Sequence, residues 1–244
     1  ILNFKFKLMI RTSNPIYNPS KNEKFKDTPG IIRKKELKYF KYANFVITYS
    51  KYNKFLLKKI FKVKNVEIIY NYFPKNFVKR KKKNKFNIYF VGRFVDSKDP
   101  IFFLKNNLKL LNKKNIKINM IGKGILKNKL KNISKKFKKN VKIIRHTSNP
   151  IIKFKNKIDV FCVTSKFDGT PNVLGEAISC NIPCLAPKNI GLSDTLLLNG
   201  KGEDLFNVGD YKKLSKLIVD YNKNTNTKIK KLKLARKNLC RFDY

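Results

Sequence analysis

From residue 86 to about 220 the chain alternates short, almost wholly apolar runs with longer stretches whose apolar residues recur every three or four positions. The first kind reads as buried strands and the second as amphipathic helices. The pattern predicts strands at 86–91, 116–121, 141–144, 159–163 and 182–186. It predicts helices at about 99–113, 125–136, 150–156, 171–180 and 210–221. Such alternation implies an α/β fold, a parallel sheet with helices on both faces. Ligands of these sheets bind beyond the carboxyl ends of the strands. Arg93, Gly122, Arg145 and Asp168 each fall just after an expected strand, so they are expected on one edge of the sheet.

The first part of the chain is sparser. Strands are expected at Phe4–Thr12, Asn44–Tyr49 and Val66–Tyr70, and helices at Ile32–Tyr42 and about 51–61. A lysine-rich, poorly periodic stretch follows, and its charge density marks it as exposed linker. The expected organisation is residues 1–72 as one partial domain, 73–85 as linker, 86–222 as the main domain and 223–244 as a closing helical segment.

The chemistry concentrates in 165–177, read as a tight polar turn between a buried strand and a helix. Pro171 suits a first helical position, where no backbone donor is lost. The N–H groups of Asn172, Val173 and Leu174 are then expected to point out of a helix end that favours an anion such as phosphate. Gly169 and Thr170 complete the turn, and Gly169 permits close approach of a ligand to the backbone. Asp168 before the turn and Glu176 within the helix are suited to holding hydroxyls. An activated sugar carries both phosphate and hydroxyls.

Asp168-Gly-Thr-Pro-Asn-Val-Leu-Gly-Glu176 resembles the acid-x7-Glu signature of glycosyltransferase family 4, with Asp in place of the usual first Glu. Asn181 stands where that family usually has glycine, and it tolerates a left-handed helix cap. Gly92-Arg93, followed by Lys98, resembles the family's donor-phosphate motif, with Asp99 where glycine is frequent. Alone, two cations in so basic a chain read as solvated surface. Upstream of the acid-x7-Glu motif they read as the pair that neutralises a departing diphosphate. Gly122-x-Gly124 is either a plain strand-to-helix turn or part of the cleft lining. Arg145 lies where the family places the base or ribose. His146 is the only histidine, so no triad or metal set forms around it.

The resemblance implies the GT-B fold: a doubly wound donor domain plus the last part of an N-terminal Rossmann-like domain, in a chain truncated at its N-terminus and at its C-terminus. It implies a retaining transferase of the hexosyltransferase type. The donor is a nucleotide sugar, expected to be a UDP-sugar. The acceptor is a glycan or lipid-linked molecule of surface polysaccharide, lipopolysaccharide or glycolipid synthesis. Arg93, Lys98 and Asp168 would be catalytic. Gly92, Gly122, Gly124, Arg145, Gly169, Thr170, Pro171, Asn172, Val173, Leu174 and Glu176 would bind the donor, without metal or cofactor. A donor-binding remnant without activity is the alternative.

Composition adds a second alternative. The formal net charge is +43 and the pI about 10.2, which invites a nucleic-acid reading. Lysine, asparagine, isoleucine and phenylalanine are abundant throughout, as an AT-rich coding sequence produces. There is no zinc spacing, RNA-recognition signature or Arg-rich arm, so no nucleic-acid partner is expected. A basic surface also favours an anionic membrane. No apolar run approaches the roughly 20 residues of a membrane span. The expected location is the cytoplasm, with peripheral contact at the inner face of its membrane. Cys162, Cys180, Cys184 and Cys240 form no C-x-x-C pair and read as free thiols.

Overall fold

The computed structural model describes residues 7–12, 38–60, 62–77, 84–112, 115–166, 168–169, 171–188, 190–223 and 225–242. Thr170, the start of the first expected strand, residues 32–37 of the first expected helix, and linker residues 78–83 lie outside them. The chain divides into two units, Ile1–Asn71 with Asp168–Thr170, and Tyr72–Phe167 with Pro171–Tyr244.

In the first unit, strands β1 (Met9–Thr12), β2 (Phe45–Thr48) and β3 (Val66–Ile68) form a parallel sheet in that order. Helix α1 (Lys51–Phe55) starts at Ser50, whose Oγ accepts from the Asn53 amide at 3.1 Å. That bond satisfies an amide the helix itself leaves unpaired. Val46, Leu56, Leu57, Val63 and Val66 form the core with Phe40. The described end of the first expected helix is a short 3-10 turn, Lys38–Tyr42.

The second unit holds six parallel strands: β4 (Phe86–Val91), β5 (Ile116–Gly122), β6 (Val141–Arg145), β7 (Val160–Cys162), β8 (Cys184–Pro187) and β9 (Asp204–Phe206). Their spatial order is β6-β5-β4-β7-β8-β9. The chain winds outward from β4 through β5 to β6, returns to the centre at β7, and winds the other way. The strand order therefore reverses between β4 and β7, which pair through Ile88↔Val160 and Tyr89↔Phe161. A sheet opens its ligand crevice at such a reversal.

Helices α2 (Pro100–Leu108), α3 (Lys127–Ser134), α4 (Pro150–Phe154), α5 (Asn172–Ser179), α6 (Ser193–Leu196), α7 (Tyr211–Lys223) and α8 (Thr225–Leu239) complete the unit. One face of the sheet buries Ile88, Phe90, Ile118 and Met120 against Phe103, Leu104 and Leu130 of α2 and α3 and against Leu214 and Ile218 of α7. Two expected helices are shorter than the pattern implied, because their last turns tighten into 3-10 geometry at Lys109–Asn112 and Lys135–Phe137. β9 was not expected; Leu205 and Phe206 are flanked by Glu203, Asp204 and Asn207, so no extended apolar run marks the strand.

The linker contains a further departure from expectation. Phe73 is only 3% exposed. Its ring packs edge-on to Phe242 at 5.8 Å and lies against the backbone of Gly175 in α5. A Cβ at Gly175 would come within 2.4 Å of that ring, so the glycine lets helix and ring close. Phe77 is covered by the Arg236 guanidinium at 3.9 Å. Both aromatics tie the segment after Asn71 to the second unit. Cys162, Cys180 and Cys184 are buried free thiols, and Cys240 is exposed.

Candidate functional site

The loop leaving β4 is held by the loop leaving β5. The Gly92 amide donates to the Ile121 carbonyl at 3.0 Å, Phe94 N–H to Lys123 O at 2.7 Å, and Leu126 N–H to Phe94 O at 3.0 Å. Phe94 is 0% exposed and anchors the loop, leaving Arg93 on its outside. A Cβ at Gly122 would lie 2.0 Å from the Gly92 oxygen. A Cβ at Gly124, where φ is +148°, would lie 2.5 Å from the Phe94 oxygen. The Gly-x-Gly pair is thus the surface on which the Arg93 loop rests. Phe94 escaped sequence reasoning, although one apolar residue directly after a Gly-Arg pair is the available signal.

Beyond Phe94 a short 3-10 turn, Asp96–Lys98, leads to Asp99 and α2. Asp99 has φ 46° and ψ 51°, the left-handed conformation that glycine adopts without strain. The backbone there explains why the related motif favours glycine. Aspartate offsets part of the strain as an N-cap, its Oδ1 accepting from the Phe102 amide at 3.3 Å. Burial raises the Asp99 carboxyl above its usual range, and the Lys166 charge opposes that rise.

The loop leaving β7 is stitched to this crossover. Thr164 Oγ1 lies 3.1 Å from the Lys98 carbonyl oxygen and 3.2 Å from that of Asp99, and donates there. The Lys166 amide donates to Ser97 O at 3.0 Å. The Lys166 ammonium pairs with Asp96 at 3.2 Å and Asp99 at 3.6 Å. Burial alone would lower the Lys166 pKa, but the bond to Asp96 and the charges of Asp99 and Asp96 hold it above normal. Sequence reasoning left out Thr164 and gave Lys166, though inside the 165–177 segment, no role. The crossover of Arg93 and Lys98 therefore meets the Thr164–Lys166 loop at the point where the strand order reverses. Arg145 ends β6 opposite Gly122. It stands two strands, roughly 10 Å, from β4. His146 beside it is exposed.

α5 begins at Asn172, with Pro171 as the residue before its first turn. Leu174 is fully buried, and its amide donates to the Pro171 carbonyl at 2.8 Å. Of the three amides expected to face outward, that one is taken up within the turn. Val173 is half-buried and Asn172 exposed. Glu176 is half-buried, and burial raises its carboxyl pKa. Asp168 and Gly169 group with the first unit. There the Tyr49 phenol has a raised pKa, first through burial and to a lesser degree through the Asp168 charge. Among the described residues no group of three or more His, Cys, Asp or Glu side chains is placed to hold a metal ion.

Residues 72–237 match the family model of glycosyl transferases group 1. The chain belongs to that family. An uncharacterized glycosyltransferase of Methanocaldococcus jannaschii is 30% identical over 205 residues, covering 75% of this chain and 48% of the relative. The capsular polysaccharide biosynthesis glycosyltransferase CapM of Staphylococcus aureus is 32% identical over 146 residues, covering 56% of this chain and 38% of CapM. The chain thus spans less than half the length of these curated relatives. Among solved structures, HepE of Anabaena in complex with UDP superposes with a TM-score of 0.77 at 16% identity, over 96% of this chain and 68% of HepE. TarM superposes with a TM-score of 0.76 at 19% identity, over 88% of this chain and 44% of TarM. The α/β architecture of parallel sheets and helices is that of GT-B glycosyltransferases.

In this member of the group 1 family the end of α5 follows the sequence expectation closely. Asn181 has φ 60°. The Ile182 amide reaches the Ala177 carbonyl at 2.9 Å and the Asn181 amide reaches Ile178 O at 3.0 Å, the paired bonds of a Schellman cap. The Arg236 guanidinium donates to the Asn181 side chain at 3.1 Å. The helix that carries Glu176 is closed at its far end by the residue that replaces the usual glycine.

Proposed function

We propose that the chain is the donor-binding part of a retaining glycosyltransferase that moves a hexose from a UDP-sugar to a glycan or lipid-linked acceptor in surface polysaccharide or glycolipid synthesis. The observation that carries this reading is the junction at the strand reversal, where the Arg93–Lys98 crossover is hydrogen-bonded to the Thr164–Lys166 loop. CapM acts in capsular polysaccharide biosynthesis, and HepE forms complexes with UDP and with UDP-glucose. Both lend support.

In the proposed reaction the bond between the anomeric carbon and the diphosphate oxygen breaks. A bond to an acceptor hydroxyl forms on the same face, and that hydroxyl passes its proton to the departing diphosphate oxygen. The departing diphosphate gains negative charge. Arg93 and Lys98 are assigned to stabilise that charge, which is larger in the transition state than in the bound donor. The Asn172 and Val173 amides, at the positive end of α5, face the phosphate or sugar. Asp168 takes a hydroxyl of the donor sugar and Glu176 the ribose hydroxyls. Gly92, Gly122 and Gly124 shape the floor under Arg93. An anionic membrane carrying the acceptor is the proposed setting.

The test measures UDP and UMP binding by calorimetry and sugar transfer from a panel of UDP-sugars. Glu176→Ala is expected to weaken UDP binding several-fold. Arg93→Ala is expected to reduce transfer by about 10²–10³ while changing UMP binding little. Unchanged UDP binding in the first variant, or equal losses of transfer and UMP binding in the second, would remove the assigned roles.

A further inference from the structure

The lysine excess runs through the whole chain, but the acids do not. Between Asp99 and Asp159 there are 17 lysines and one arginine and not one acid, whereas the span from Asp159 to Asp220 holds eight of the chain's 15 acids. The topology turns this into a spatial asymmetry. The acid-free stretch builds α2, β5, α3 and β6, the part of the second unit that ends in the edge strand β6, and then α4, which returns to the sheet centre and meets Tyr89 of β4 through Phe154. The acid-bearing stretch builds most of the opposite half. Charge asymmetry of this kind marks a surface for an anionic partner.

α3 and the turn after it form the densest part. Leu130 and Ser134 face the interior, and Lys129, Lys131, Lys135, Lys136, Lys138 and Lys139 are exposed. Two apolar side chains flank this basic face. Ile125, just before the helix, is 86% exposed, and Phe137, just after it, is 37% exposed. At the start of β5 the Lys117 ammonium has a lowered pKa, chiefly because Lys85 crowds it, with smaller contributions from burial and Lys142. The like charges here have no carboxylate between them.

We infer that the outward face of α3, with Ile125 and Phe137 at its ends, docks on an anionic lipid surface. The residue types favour lipid over nucleic acid. Readout of bases and phosphates favours the arginine fork, and this stretch has one arginine against 17 lysines. An exposed isoleucine gains nothing against a phosphate backbone, whereas it gains burial at the boundary between headgroups and acyl chains, beside lysines held by anionic headgroups. Ile125 follows Gly124, on the turn that supports the Arg93 loop, so the Ile125 end of this face lies at the sheet edge that carries the candidate donor residues, while its Phe137 end lies by the starts of β5 and β6. The inference deepens the proposed membrane setting. Its test uses no nucleotide sugar, so its failure leaves glycosyl transfer standing.

The chain contains no tryptophan, so Ile125→Trp introduces a single reporter. Its emission should shift to the blue with vesicles of phosphatidylcholine and phosphatidylglycerol, and not with phosphatidylcholine alone. Charge reversal at Lys129→Glu with Lys136→Glu should lower partition onto the mixed vesicles at least about tenfold, since each well-placed cation is worth about fivefold. The same reversal at the exposed Lys212 and Lys216 of α7, which lie between Asp210 and Asp220, should change partition less than about twofold, because carboxylates there already offset the lysines. No shift with mixed vesicles overturns the inference. So do equal losses from the two reversals, or a larger shift with duplex DNA than with vesicles.

Discussion

Gly122→Ala isolates the geometry on which the site assignment depends. The new Cβ would lie 2.0 Å from the Gly92 carbonyl oxygen and 3.0 Å from the Phe94 ring. The first obstacle is backbone and cannot rotate away. Restoring ordinary contact needs a movement of about 1 Å in the peptide that carries Arg93, and a misplacement of that size can lower a catalysed rate about 10²-fold. Overpacking should also lower stability by about 1–3 kcal/mol, a Tm decrease of roughly 2–4 °C per kcal/mol in a domain of this size. Gly209→Ala is the control. Its φ is +81° but nothing lies within 4 Å of the added methyl, so it should lower stability by about 1–2 kcal/mol and leave the rate unchanged. Transfer from a UDP-sugar and thermal unfolding are measured on both. A wild-type rate in Gly122→Ala, or an equal rate loss in Gly209→Ala, would refute the claim that the Gly-x-Gly pair positions Arg93.

Three further outcomes are expected. Glu203 is 0% exposed, and burial pushes its carboxyl up to about 8 against the opposing hydrogen bond from Tyr221. The native state then holds the proton more tightly than the unfolded state, so stability should fall as pH rises from about 4.5 to about 8 and level above; Glu203→Gln should flatten that slope in urea unfolding, and parallel curves would contradict it. UDP binding should weaken as pH falls through the raised Glu176 value, starting at a higher pH than an ordinary glutamate would, because the charged carboxylate accepts hydroxyl hydrogen bonds more strongly than the neutral acid; Glu176→Gln should remove this dependence, and its persistence would assign it to another group. Asp99→Ala keeps the left-handed backbone but loses the cap, so it should destabilise by about 1–3 kcal/mol. Asp99→Gly should lose less than Asp99→Ala, and a glycine variant as unstable as the alanine one would show that strain at φ 46° is unimportant.

Much of the fold is legible in the pattern because local rules and tertiary burial agree there. The runs at 86–91 and 116–121 are apolar because both faces of a central parallel strand are covered. Asn181 was readable as a left-handed cap because few residue types tolerate that conformation. The short strand Asp204–Phe206 was not readable, since it is a sheet edge only by virtue of its neighbour β8. Phe73 was hidden by the lysines around it; its burial depends on Phe242 and Gly175, residues far away in sequence. Leu174 was grouped with the outward amides, yet its N–H bonds to Pro171, a difference of one residue in where the helix begins.

The sequence alone determined the alternation of elements, the Gly-Arg and acid-x7-Glu motifs and the lysine excess, because periodicity, backbone tolerance and charge are properties of neighbouring residues. The tertiary structure alone decided that β4 and β7 are adjacent, that Thr164 and Lys166 lock the two crossovers together, that Gly122 and Gly124 support the Arg93 loop, and that the acid-free stretch builds one edge of the sheet, β5 and β6. Those facts rest on hydrogen bonds and contacts between segments tens of residues apart. No local preference encodes them; only the packing of one common core does.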